Sequence, residues 1–224
     1  MKSIYYSFFL TIFLLFPSEI WAHDVVKDLE NISKTEAVFT YINIGFEHIL
    51  PLGFDHILFI ISLILLSPNI KQLLIQSAAF TFGHCITLIL ASYNIFKISP
   101  TIVEPLIAIT IAYVAAENIF TNFNKHNQNW PKKTRLVLIF CFGLLHGLGF
   151  AGALSEVGLP ENAYLLSLLM FNLGVELGQI TVIFFTFLLL TQIQKRNNLT
   201  WSKLALPVSS IIICISIYWI FERI

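Results

Sequence analysis

Charge is what this sequence lacks most. Of its 224 residues, 13 are Lys or Arg and 13 are Asp or Glu, a charged fraction of 12%. A soluble domain carries roughly 25%, so this chain has too little polar surface to cover a globule in water. The two signs cancel to a net charge of zero, which removes the electrostatic argument for a nucleic-acid partner. Cysteine is scarce as well: Cys85, Cys141 and Cys214 each stand alone inside an apolar block. With no CxxC pair they read as small buried apolar residues, which excludes a disulfide frame and a thiolate metal site. There is no GxxxxGKS or GxxxxGKT stretch and no HExxH. The chain therefore has no nucleotide-binding motif of its own and no zinc-protease helix.

What is present is apolar residue in long blocks. Hydrophobic residues make up 57% of the chain and the mean hydropathy is +0.80. The blocks lack the short periodic spacing of a soluble core, and their partner is the lipid bilayer. Residues 1–22 read as a secretory signal peptide: Lys2 is the positive n-region, Ile4 to Phe16 the apolar h-region, and Ala22 the cleavage point. A polar external segment follows at 23–36, and 37–224 form a single transmembrane domain. Crossing a bilayer takes about 20 apolar residues. Spans fall at Phe54–Leu66, Leu73–Phe96, Thr101–Phe120, Leu136–Leu154, Ala163–Gln192 and Leu204–Phe221. The first is too short unless Ala37–Leu50 contributes half a helix, broken at Pro51-Leu52-Gly53. The expected fold is an all-α bundle of about six transmembrane helices whose first helix is broken.

Lys71, then Lys125, Lys132, Lys133 and Arg135, then Lys195, Arg196 and Lys203 fall in alternate loops. Lys97, Glu156 and Glu161 fall in the others. The positive-inside rule and an export signal give the same orientation. The expectation is a multi-pass protein of the bacterial inner membrane with both mature termini outside.

Against this apolar background the ionisable residues stand out. Each charge at a helix centre costs roughly 2.5–3.5 kcal/mol on insertion scales. Glu47, His48, Asp55 and His56 flank the Pro51/Gly53 break, and broken helices at membrane depth often hold transported ions. In the second span, Ser77, Thr81, His84 and Thr87 form one polar stripe that should face other helices. The third span has Glu104 near one end and Glu117-Asn118 near the other. At 100° per residue those two glutamates lie roughly 140° apart and cannot easily share a site. The fourth span presents His146 among Gly143, Gly147, Gly149 and Gly152, small residues that let a neighbouring backbone approach. The fifth aligns Asn172, Glu176 and Gln179 on one face. The sixth has little polar content and reads as peripheral.

Asp55, His56, His84, His146 and Glu176 are the expected ligands of a metal ion. His23, Glu47, His48, Glu104, Glu117, Asn172 and Gln179 form a second rank. His23 would become the new N-terminus after cleavage, where its amine and imidazole could capture metal outside. Imidazole with oxygen ligands suits Ni²⁺, Co²⁺ or Zn²⁺, and the lack of thiolate or Met clusters argues against Cu⁺.

Five stretches carry a family resemblance: Gly45 to His56, Phe80 to Leu88, Val103 to Ala108 with Glu117-Asn118, Phe142 to Ala151, and Phe171 to Gln179. In these the chain resembles the HupE/UreJ family of membrane proteins, its second subgroup most closely, over about Gly45 to Leu190. The resemblance implies a nickel or cobalt permease of the kind that serves hydrogenase and urease maturation. It carries Asp55 and His56 over as ligands. His48 stands one residue further from Asp55 than the corresponding histidine of better-studied members. The expected function is inward transport of a divalent metal ion through the histidine and carboxylate site. The alternatives are an intramembrane metal-dependent hydrolase and a non-transporting accessory subunit. Nothing in the sequence fixes an oligomeric state.

Overall fold

Ser33 opens the first helix. Its hydroxyl accepts from the Glu36 backbone N–H while the Glu36 carboxylate accepts from the Ser33 N–H, a reciprocal capping box. In the computed structural model, which describes residues 32–66, 69–96, 98–123, 132–197 and 201–224, helix α1 runs from Lys34 to Ile49. It thus starts inside the stretch read from sequence as an external segment, because a cap needs only the Ser33…Glu36 spacing and no apolar residue. The expected signal peptide and His23 lie outside the described residues.

Helix α2, Phe54–Leu66, follows α1 across the Pro51-Leu52-Gly53 break with a bend of 66°, and together the two are long and apolar enough for one span. Gly53 is required at the bend: a Cβ there would collide with the His48 carbonyl and press on Ile49 Cα. Five further helices are each long and apolar enough to cross a membrane. They are α3 (Ile70–Ser92), α4 (Pro100–Phe123), α5 (Lys132–Val157), α6 (Tyr164–Asn197) and α7 (Trp201–Glu222). A single 3₁₀ turn, Glu161–Ala163, leads into α6, and no strand occurs among the described residues. The broken first helix and the six-span bundle are therefore as the sequence implies.

Two helix pairs meet backbone to backbone. Gly45 of α1 faces the Phe171 carbonyl of α6, and Gly174 of α6 faces the Ile42 carbonyl of α1. Gly83 and Gly143 make the same exchange between α3 and α5, with Gly147 against the His84 carbonyl. Without a hydrophobic drive between helices in lipid, such close approach is a main source of their attraction.

Interhelical bonds sort the helix ends. Tyr41 of α1 donates to the Gly158 carbonyl just past α5 (2.6 Å), Tyr164 of α6 donates to the Ser92 carbonyl at the end of α3 (2.7 Å), and Arg223 stands 4.0 Å from Glu104. Gly158 closes α5 with φ of 85°, a left-handed value that favours glycine. At the far end Arg135 pairs with Glu117 at 3.1 Å. Lys71 and the start of α5 therefore share one end of the bundle with the close of α6. The opening of α1 and the close of α7 share the other.

The radial pattern is that of a protein in lipid. Phe82, Phe120, Phe184, Phe185 and Tyr218 face outward, whereas His84, Ser62, Thr110, Asn118 and His146 are buried. Polar groups turned inward, with apolar ones outside, reverse the soluble arrangement and satisfy backbone and side-chain polarity away from hydrocarbon. The outermost span is α7, and its buried Ser209 accepts from Asn118, which also donates to the Ser62 carbonyl of α2.

Candidate metal centre

The break in the first span delivers three side chains. His48 ends the last turn of α1, and Asp55 and His56 open the first turn of α2. Asp55 suits that position, since a carboxylate at a helix N-terminus meets the positive end of the helix dipole. One oxygen, Oδ1, accepts from the His56 backbone N–H at 2.8 Å and lies 3.0 Å from His56 Nδ1. The bend folds His48 back over His56, with ring centroids 4.9 Å apart.

Two more imidazoles arrive on the glycine-packed pair α3 and α5. His146 lies 5.0 Å and His84 6.0 Å from His56, centroid to centroid. His84 is 0% exposed, and His56 and His146 are 2% exposed. Phe59, Phe80, Phe150 and Phe171 wall the cluster, with Phe150 3.9 Å from the His48 ring.

Four ring nitrogens in this cluster, His48 Nε2, His56 Nε2, His84 Nε2 and His146 Nδ1, are buried with no hydrogen-bond partner. Orphaned polar atoms in a membrane interior are costly. Among the described residues two groups could hold a metal ion, His48/His56/His84 and Asp55/His56/His146. In each, one ligating atom per residue lies within 4.8 Å of the others. Donors about 2 Å from an ion stand at most about 4 Å apart, so each group stands within about 1 Å of the spacing a bound cation requires. His56 belongs to both.

The other residues expected from sequence fall in different places. Glu176 accepts a very short hydrogen bond from Thr81, and Gln179 accepts from Ser77 at 2.9 Å. Asn172 Oδ1 lies 2.9 Å from His84 Nδ1. These three contacts form successive rungs between α3 and α6. The polar stripe of each helix, legible in sequence, thus pairs with the other. Glu117 is ion-paired to Arg135 and Glu104 faces Arg223. Glu47 is exposed and accepts from Asn43 on its own helix (2.8 Å).

Thr110 was not visible to sequence reasoning. A lone threonine in an apolar span carries no signal, yet its hydroxyl lies 3.1 Å from His146 Nε2.

A multi-helix membrane protein whose spans enclose four imidazoles and a carboxylate has an interior built from metal-ligand chemistry. The chain belongs to the HupE/UreJ family: the family model described as HupE / UreJ protein matches residues 24–223, nearly its whole length. No curated protein and no solved structure matches it.

Proposed function

We propose that this protein is a permease of the bacterial inner membrane that carries a divalent transition metal ion, nickel or cobalt, through the cluster of His48, Asp55, His56, His84 and His146. The observation that carries this reading is the convergence of four buried imidazole nitrogens without partners beside one carboxylate. The family's association with nickel and cobalt transport supports it. The donor set suits it too, since imidazole and carboxylate favour divalent ions of this kind. A hydrolase would need a carboxylate to activate water on the ion; the one beside the rings, Asp55, is bonded through Oδ1 to His56 and serves the permease reading as a ligand.

Liposomes containing only this protein, offered one metal at a time, test the proposal. Uptake of Ni²⁺ or Co²⁺ well above that of protein-free liposomes is the expected result. Uptake of neither ion would overturn it.

We further propose that the bundle end formed by the opening of α1 and the close of α7 faces outside. Lys71, Lys133, Arg135, Lys195 and Arg196 gather at the opposite end, as positive-inside bias requires. A phosphatase fused after Ile224 should be active and a fluorescent protein fused there should stay dark; the reverse pair of results would invert the orientation.

A further inference from the structure

We propose that Asn172 and Thr110 are positioning residues that fix opposite tautomers on His84 and His146, so that each ring offers its one free lone pair to the ion. The inference rests on the metal-transport reading and concerns how the site is prepared before an ion arrives.

A neutral imidazole has one N–H and one lone pair, and the partner of one nitrogen decides which is which. At His84 the partner is an amide whose orientation is itself fixed. Asn172 Nδ2 donates to the Leu168 carbonyl at 2.8 Å, leaving Oδ1 to face His84 Nδ1 at 2.9 Å. An oxygen that can only accept places the proton on Nδ1. The lone pair is then on Nε2, the nitrogen of His84 that has no partner.

At His146 the logic is the same with a hydroxyl. Thr110 has one proton, and the Ile107 carbonyl 2.7 Å from its oxygen takes it. Without that proton two acceptors would face each other at hydrogen-bond distance. The hydroxyl therefore accepts from His146 Nε2 at 3.1 Å. The lone pair falls on Nδ1, again the nitrogen without a partner.

The two rings thus carry opposite tautomers, and in both the orphaned atom is the one able to bind metal. Asp55 acts likewise on His56, whose Nδ1 faces the carboxylate and whose Nε2 is unpartnered. Three rings are preset by three acceptors of different chemistry: carboxylate, amide and hydroxyl. Such outer partners orient ligands, and their loss costs about 10–100-fold in metal affinity.

The test uses the full chain, ¹⁵N-labelled at histidine and reconstituted in lipid nanodiscs. Nitrogen chemical shifts in the metal-free protein should report Nδ1–H at His84 and Nε2–H at His146. Thr110→Ser keeps the acceptor and should keep both the tautomer and the Ni²⁺ affinity. Thr110→Val and Asn172→Leu keep the approximate shape and remove it. Each should scramble the tautomer of its own histidine alone and weaken Ni²⁺ binding about 10–100-fold. Reversed tautomers in the parent would overturn the proposal. So would parental tautomer and affinity in both Thr110→Val and Asn172→Leu, and so would an equal loss in Thr110→Ser. Assigned tautomers in a parent that binds neither Ni²⁺ nor Co²⁺ would sink the metal-transport reading instead, and the two failures are told apart by the nitrogen spectrum.

Discussion

Alanine in place of His56 should remove nearly all of the stabilisation that a bound metal ion gives this protein. His56 is the residue common to both ligand groups and lies at the centre of the four rings. An ion present at one hundred times its Kd adds about 2.7 kcal/mol to the parent by linkage. Loss of an outer-shell partner alone costs about 10–100-fold in affinity, and loss of a shared ligand should cost at least the upper figure. At the same metal concentration the variant would then be only half saturated, and its gain would fall to about 0.4 kcal/mol. His84→Ala and His146→Ala each disturb one group and should give intermediate losses. Removing a buried ring also destabilises the metal-free fold, so the quantity to measure is the difference in unfolding between metal-free and metal-loaded samples of each variant. A His56→Ala protein that gains as much from Ni²⁺ as the parent would exclude His56 from the ligand set. In the parent the gain should grow as pH rises, because proton and metal compete for the same imidazole lone pairs.

Glu176→Gln should have the second-largest effect, on movement of the ion more than on its binding. The rungs His84–Asn172, Thr81–Glu176 and Ser77–Gln179 succeed one another along α3 and α6, toward the bundle end that holds Lys71 and Lys195. On the permease reading, an ion leaving the cluster along these rungs would meet the Glu176 carboxylate next after the His84–Asn172 pair. Glutamine keeps the shape and can still accept from Thr81, while the charge is gone. The hypothesis is that liposome uptake falls about tenfold or more, a barrier increase of about 1.4 kcal/mol, while equilibrium affinity drops far less than in His56→Ala. Binding and uptake measured on one preparation decide the matter. An affinity loss as large as that of His56→Ala would put Glu176 in the ligand set itself, and unchanged uptake would reduce it to a structural hydrogen bond.

The spans were legible because lipid demands uninterrupted apolar length, and the break was legible because proline and glycine adjoin inside one apolar stretch. The start of α1 was written in Ser33 and Glu36, although a capping box in a polar segment is easily read as loop. What the sequence could not supply was partnership across distance. Helical spacing relates His48 to Asp55 only while the helix continues, and the 66° bend cancels that relation and returns His48 to the cluster by another route. The stripes Ser77/Thr81/His84 and Asn172/Glu176/Gln179 were each visible, but their pairing depends on the antiparallel register of α3 and α6. Glu104 and Glu117 had the look of intramembrane ligands until Arg223 and Arg135, distant in sequence, came to face them. Thr110 had no signal at all.

The four-to-one ratio of imidazoles to carboxylate at the centre has an electrical consequence. Ligating imidazoles are neutral, and Asp55 contributes one negative charge. A divalent ion held there would sit with one positive charge uncompensated by its own ligands. The half-charge at the C-terminal end of α1 offsets part of that excess, and the opposite half-charge opening α2 restores it. The loaded centre would therefore hold about one net positive charge, although the mobile ion itself carries two. A voltage of 100 mV, negative inside, does about 2.3 kcal/mol of work on one unit charge crossing the full field. On the permease reading, a divalent ion crossing the full field into a negative interior would gain about twice that, since Asp55 stays behind.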